Sequence, residues 1–143
     1  MRELDRANLE PRALGKSDYP TEFPLREVLS IAKHCSGGVI LGFEQIFLES
    51  GASKRGTPQS KKYTSPMPLP TPWNHLEAGI LYSLGLPILV FKEDGISGGV
   101  FDPGVSDVFI HRMPESPISR IDRKALSDVF QKWQARVRSH YYR

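Results

Sequence analysis

A layered α/β domain with a mostly parallel sheet is the architecture this sequence predicts, and three observations predict it. Two short, nearly continuous apolar runs, Val39-Ile40-Leu41-Gly42-Phe43 and residues 86–91, have the composition of strands buried on both faces. A segment with helical apolar spacing precedes each run. Glycines punctuate the passages, at Gly37-Gly38 and at Gly85. Helix, strand, helix, strand in that order points to helices layered on a sheet, a three-layer sandwich of the flavodoxin-like kind.

Each element has its own reason. Residues 9–14 are a candidate short strand, weakened by Pro11, and residues 15–20 follow as a loop. Pro24 starts a helix that runs to about His34, with Leu25, Val28, Leu29 and Ala32 on one face. After the first buried strand, residues 50–70 read as a long irregular stretch, broken by Gly51, Gly56, Pro58, Pro66, Pro68 and Pro70. A loop of that length in a small domain is often functional. Thr71 caps the next helix, Pro72 fits its first turn and Gly85 stops it. Residues 95–99 are glycine-rich and read as a mobile loop. Residues 105–110 are a further candidate strand. A last helix is expected over residues 123–139, capped by Asp122, with Leu126, Val129, Phe130, Trp133 and Val137 on its packed side.

The opening is short for such a domain. The first ten residues are polar and charged, so the usual first strand has no clear counterpart. A free position beside the sheet is costly in an isolated monomer. A homo-oligomer, an adjacent domain or a rearranged sheet is therefore expected.

Bulk properties narrow the function classes. The 143 residues suit one domain with a real core, and 39% hydrophobic with 24% charged content is ordinary for a soluble protein. No apolar run approaches the roughly 20 residues needed to cross a bilayer. The start does not read as a signal segment, and the single cysteine, Cys35, rules out an internal disulfide. A cytoplasmic protein with no membrane role is expected. The net charge of +3 is too small to point to nucleic acid, which is not an expected partner. Lys54, Arg55, Lys61 and Lys62 read as a solvated loop or as a guide for a phosphate-bearing ligand. His34, His75, His111 and His140 have no metal-ligand spacing, so no metal or other cofactor is expected to be required.

The chemistry concentrates in one helix. At about 100° per residue, Trp73, Leu76, Ile80 and Leu84 fall on one apolar face and Glu77 falls in the middle of it. A carboxylate there is costly unless it is paired, protonated or lining a cleft. Glu77 is therefore the candidate catalytic residue, with a buried structural network as its bland alternative. Trp73, one turn earlier, serves equally as core or as a ligand platform. Asp18 and Tyr19 come from a loop that can meet the same cleft, Asp18 as a hydrogen-bonding group and Tyr19 orienting a ligand. Ser97 and Gly98, with Gly99, are placed to shape an entrance. His75, two positions from Glu77, points to another face.

Four runs in order resemble the Toll/interleukin-1 receptor-like superfamily and the related nucleoside 2-deoxyribosyltransferases. They are Leu14-Gly15-Lys16-Ser17-Asp18-Tyr19, the strand end Leu41-Gly42-Phe43, Thr71-Pro72-Trp73-Asn74-His75-Leu76-Glu77-Ala78-Gly79, and Leu84-Gly85-Leu86-Pro87-Ile88-Leu89-Val90. The resemblance covers about residues 9–110. It implies that Glu77 matches a glutamate acting at the anomeric carbon of a ribosyl group, with Trp73 matching a neighbouring tryptophan. It implies cleavage of a nucleotide N-glycosidic bond, with NAD as substrate and nicotinamide plus ADP-ribose or a cyclic product. Base exchange or hydrolysis on deoxynucleosides is the related activity. Relatives also include binding modules, so a non-catalytic nucleotide-sensing or assembly domain is the alternative from another class. Part of a larger defence or signalling protein is a third.

Overall fold

Strand β6 (Ile88–Lys92) is the centre of the molecule, and its composition explains why. Ile88, Leu89, Val90 and Phe91 are all buried, so both faces of the strand are covered. It pairs in parallel with β1 (Gly38–Gly42) on one side and β7 (Ile110–Arg112) on the other. In this computed structural model, which describes residues 2–13 and 23–142, the three form a parallel sheet in the order β1-β6-β7. Alternate residues of β6 feed opposite layers, as the pleat requires. Ile88 and Val90 join Ile40, Ala78, Ile96 and Phe101 on one face. Leu89 and Phe91 join Trp133 and Val137 on the other.

Helices cover both faces. α3 (Pro72–Ser83) crosses from β1 to β6 and supplies Ala78 to the first cluster. α4 (Arg120–Tyr141) lies on the opposite face, where the Trp133 indole N–H donates to the Pro87 carbonyl at 3.0 Å. α1 (Arg2–Arg6) lies on that side too, with Leu4 packed on the second cluster. α2 (Pro24–Lys33) precedes β1 and contacts α3. The result is the mixed α/β sandwich with a parallel sheet that the apolar runs predict, compatible with a flavodoxin-like architecture. β1 and β7 are the two edges of that sheet among the described residues. No helix among them is long and apolar enough to cross a membrane.

Four expectations are corrected. Residues 9–13 form no strand; Leu14 lies outside the described residues. Pro11 has no N–H for a ladder, and Leu9 instead packs beside Leu4 on the α4 side of the sheet. Residues 50–70 are not irregular. They carry β3 (Gly51–Ser53), β4 (Lys61–Tyr63) and β5 (Met67–Leu69), and β2 (Ile46–Leu48) lies just before them. β2 pairs with β5 and β3 with β4, both antiparallel, as successive parts of one hairpin. Every strand in a two-stranded ribbon is an edge, so Pro68 is tolerated opposite Phe47.

The other two corrections concern boundaries. Residues 105–109 turn rather than extend, and only Ile110–Arg112 pairs with β6. Gly104, at φ +81°, bends the chain there, and Val105 and Phe109 stay exposed. α4 starts three residues earlier than the expected Arg123. Ser119 is its cap: its Oγ accepts from the Asp122 N–H at 3.0 Å, and its hydroxyl donates to Asp122 Oδ2 at 2.6 Å. Asp122 sits at the third helical position, and its carboxylate orients the capping hydroxyl by accepting from it.

Close approach to the sheet depends on a glycine. A Cβ on Gly42 would lie 2.6 Å from Phe101 Cε1. Phe101 is fully buried, so its ring has no room to retreat. Gly42→Ala is therefore expected to destabilise the fold by about 1–3 kcal/mol, the usual cost of overpacking. Urea unfolding measures this; a midpoint equal to the parent's would show that the ring and strand are not in close contact.

Candidate functional site

α3 begins as its sequence dictates. Thr71 is extended at ψ 141°, its Oγ1 accepts from the Trp73 N–H at 3.3 Å, and Pro72 opens the first turn. At the other end Gly85, at φ +67°, lets the chain reverse into β6, a left-handed conformation that favours glycine. The start of the helix is tied to the carboxyl end of β1. Asn74 Nδ2 donates to the Leu41 carbonyl at 3.3 Å, and Asn74 is only 7% exposed. In open parallel sheets, ligands are bound at the carboxyl ends of the strands.

The buried face of α3 is not the one its apolar spacing indicates. Asn74, Ala78 and Leu81 face the sheet, while Trp73 is 39% and Leu76 46% exposed. Sterics decide this. Leu81 lies so close to β1 that a Cβ on Gly38 would be 2.2 Å from its Cδ1, and Ala78 gives the small contact that lets the helix approach. Trp73, Glu77, Ile80 and Leu84 do share a side, but it is a flank. By helical geometry Glu77 sits about 60° round from Asn74, and Trp73 about 40° further.

The opposite flank carries His75. Its ring meets Phe101 edge-on at 5.6 Å, and a Cβ on Gly99 would lie 2.8 Å from its Nδ1. His75 is therefore engaged with the 3₁₀ turn Gly99–Phe101 and not with Glu77.

Glu77 is half-buried and has no hydrogen bond or ion pair among the described residues. Loss of hydration raises its pKa above the ordinary glutamate value. Among the described residues no cation or donor compensates it, and the carboxylate lies in a partly dehydrated place with Trp73 one turn away.

The glycine-rich segment is anchored, not loose. Ile96 is 1% exposed and belongs to the first core cluster. The Lys92 ammonium donates to the carbonyls of Ile96, at 2.8 Å, and Phe101, at 3.1 Å. Gly98, at φ +98°, donates its N–H to Asp102 Oδ1 at 2.7 Å, so that amide is already engaged. Ser97 is exposed. Nearby, the Glu44 N–H donates to Glu93 Oε2 at 2.7 Å and joins the exits of β1 and β6. Pro68 of the hairpin rests on Gly95, placing the base of the ribbon over the exit of β6.

Among the candidates, the structure puts Trp73 and Glu77 on one flank of α3, while Ser97 and Gly98 precede the Gly99–Phe101 turn that meets His75 on the other. Asp18 and Tyr19 lie outside the described residues. The clefts of about 450 and 370 Å³ that open on the described surface are lined by none of these residues. Among the described residues no group of three or more histidine, cysteine, aspartate or glutamate side chains could hold a metal. Sequence reasoning misses Asn74 and Lys92. Lys92 is a charge that closes a run of buried apolar residues, which is the signal that could have found it, whereas Asn74 is buried between exposed Trp73 and His75 and leaves no such mark. Asn74 Oδ1 is buried without a hydrogen-bond partner among the described residues. No family model matches the chain, and no curated protein or solved structure matches it.

The unpaired state of Glu77 has a stability consequence. A carboxyl group whose folded pKa lies above its unfolded one favours the fold while protonated. That contribution is present below the unfolded pKa and is lost as pH rises through the raised folded value. Glu77→Gln mimics the protonated state. It is expected to melt with the parent in acid and at the same or a higher temperature at neutral pH. A clear drop in melting temperature at neutral pH would instead reveal a stabilising partner for the carboxylate.

Proposed function

We propose that this protein cleaves the N-glycosidic bond of a nucleotide, with NAD as the substrate and Glu77 as the catalytic carboxylate. One observation carries it: a half-buried carboxylate without a partner among the described residues, next to Trp73, on the helix tied to the carboxyl end of β1. The Trp73-to-Glu77 spacing and its resemblance to Toll/interleukin-1 receptor-like proteins support the same reading.

The chemistry suits a lone carboxylate. As the bond from C1′ to nitrogen breaks, its electron pair moves to the ring nitrogen and positive charge develops on the ribose. A pre-placed, poorly hydrated carboxylate stabilises that charge without first reorganising water. It can also attack C1′ and hold a covalent intermediate until water or an internal hydroxyl displaces it. Nicotinamide in NAD is already cationic, so it leaves as a neutral molecule without a proton from an acid. A base leaving a deoxynucleoside gains from protonation, and His75 is turned to Phe101 and away from Glu77. The geometry therefore favours NAD over deoxynucleosides. Trp73 supplies an exposed aromatic face for ribose or base. A cytoplasmic site of action belongs to the same proposal, as does a second copy or neighbouring domain beside the edge strand β1.

Glu77 works in its ionised form, and burial raises its pKa. The acid limb of kcat/KM for nicotinamide release is therefore expected above the ordinary glutamate range, with activity rising as pH increases through it. Glu77→Gln is expected to lower kcat on the order of 100- to 1000-fold with the fold retained. Chromatographic assay of nicotinamide measures both. Equal release by a folded Glu77→Gln protein removes this residue from the mechanism, and exchange confined to deoxynucleosides moves the substrate to the other class.

A further inference from the structure

On the sheet face away from α3, the start of α4 gathers charge that a free helix would not tolerate well. Arg120, Arg123 and Lys124 lie within its first turn and a half. Like charges three and four residues apart repel one another on a helix. The amino-terminal end is also the unfavourable end for cations. Asp122 offers little relief: it is bonded to Ser119 and projects about 160° away from Arg120. None of the three cationic side chains has a hydrogen bond or ion pair among the described residues.

These three side chains line a single cleft of about 450 Å³ between α4 and α1. That volume is in the usual range for a small-molecule site, roughly 300–1,000 Å³. Two acidic groups share it, Glu3 and Asp128. Glu3 is neutralised by Arg6 at 2.7 Å, which leaves three cations facing Asp128. The wall is partly aromatic. Phe130 lines the cleft and is held in place by stacking on Phe91, with centroids 5.9 Å apart, and by an edge contact with Trp133.

We propose that this cleft binds a phosphate-bearing small molecule with at least two negative charges. Arg120 and Arg123 each offer a planar fork suited to phosphate oxygens, and Lys124 adds a point charge. Phe130 lies where the organic part of such a ligand would rest. A bound anion relieves the repulsion that the empty cleft leaves standing. Because α4 and α3 cover opposite faces of the sheet, binding here is separate from any chemistry at Glu77.

Calorimetric titration of the full chain with pyrophosphate and with ADP, at low and moderate salt, tests this. The parent and Glu77→Gln proteins are expected to bind pyrophosphate alike and more weakly as salt rises. The triple variant Arg120→Gln, Arg123→Gln, Lys124→Gln is expected to bind at least about ten-fold more weakly. Without ligand it should melt no lower than the parent. If the triple variant loses its helical circular dichroism, Arg123→Gln alone serves, with a smaller weakening expected. Equal affinity in a folded variant overturns the proposal. So does absence of binding at millimolar ligand, or binding only to vesicles with anionic headgroups. Loss of binding in Glu77→Gln alone would place the anion at the other site and also overturn it.

Discussion

Burial of β6 on both faces is the constraint from which the rest of this structure follows. Four consecutive apolar residues, Ile88 to Phe91, cannot face water on either side of a pleated strand. They require a neighbour along each edge and a helix over each face. β1 and β7 meet the first need and α3 and α4 the second. Parallel pairing in turn forces a long return path between β1 and β6. That path contains the hairpin and α3, so the candidate carboxylate owes its place to the same burial that makes the core.

The carboxyl end of the sheet is held by polar contacts rather than by more apolar packing. Asn74 joins α3 to Leu41, Glu93 accepts from the Glu44 amide, and Lys92 ties down two carbonyls beyond β6. The first two join elements far apart in sequence, and the Lys92 pair braces the segment that follows its own strand. Together they fix the direction in which α3 leaves the sheet, and with it the flank that carries Trp73 and Glu77. The glycine-rich segment is part of this brace. Ile96 and Phe101 anchor it in the core, and positive φ angles at Gly98 and Gly99 let the chain turn between the two anchors.

The two faces of the sheet carry different electrostatic problems. On the α3 side a carboxylate is partly dehydrated with no cation paired to it among the described residues. On the α4 side cations accumulate without enough anions. Both break rules that local sequence otherwise obeys, and both lie apart from the clusters that stabilise the fold. Such local conflicts are where function is expected in a protein whose remaining choices agree with its structure.

Much of the layered architecture is legible in the sequence because burial leaves a periodic mark. The apolar run ending at Phe91 is a strand buried on both faces. The run ending at Phe43 holds a strand at the sheet edge, and its Leu41 and Phe43 stay exposed for that reason. Thr71, Pro72 and Gly85 set the limits of α3 through capping and backbone preference. The hairpin strands leave no such mark, since three residues are too few for a period and proline is allowed at an exposed edge. The phase of α3 is likewise hidden. Its most apolar stripe holds Trp73 and Leu76, yet the sheet selects Asn74, Ala78 and Leu81, because closeness of approach depends on side-chain size and on the glycines of β1. Composition and spacing thus determined which segments are buried strands and capped helices, since those follow from local preference and hydrophobicity. Only the tertiary structure decided which side of each helix meets the sheet and which charges are left unpaired, because both depend on distances between residues that the chain itself keeps far apart.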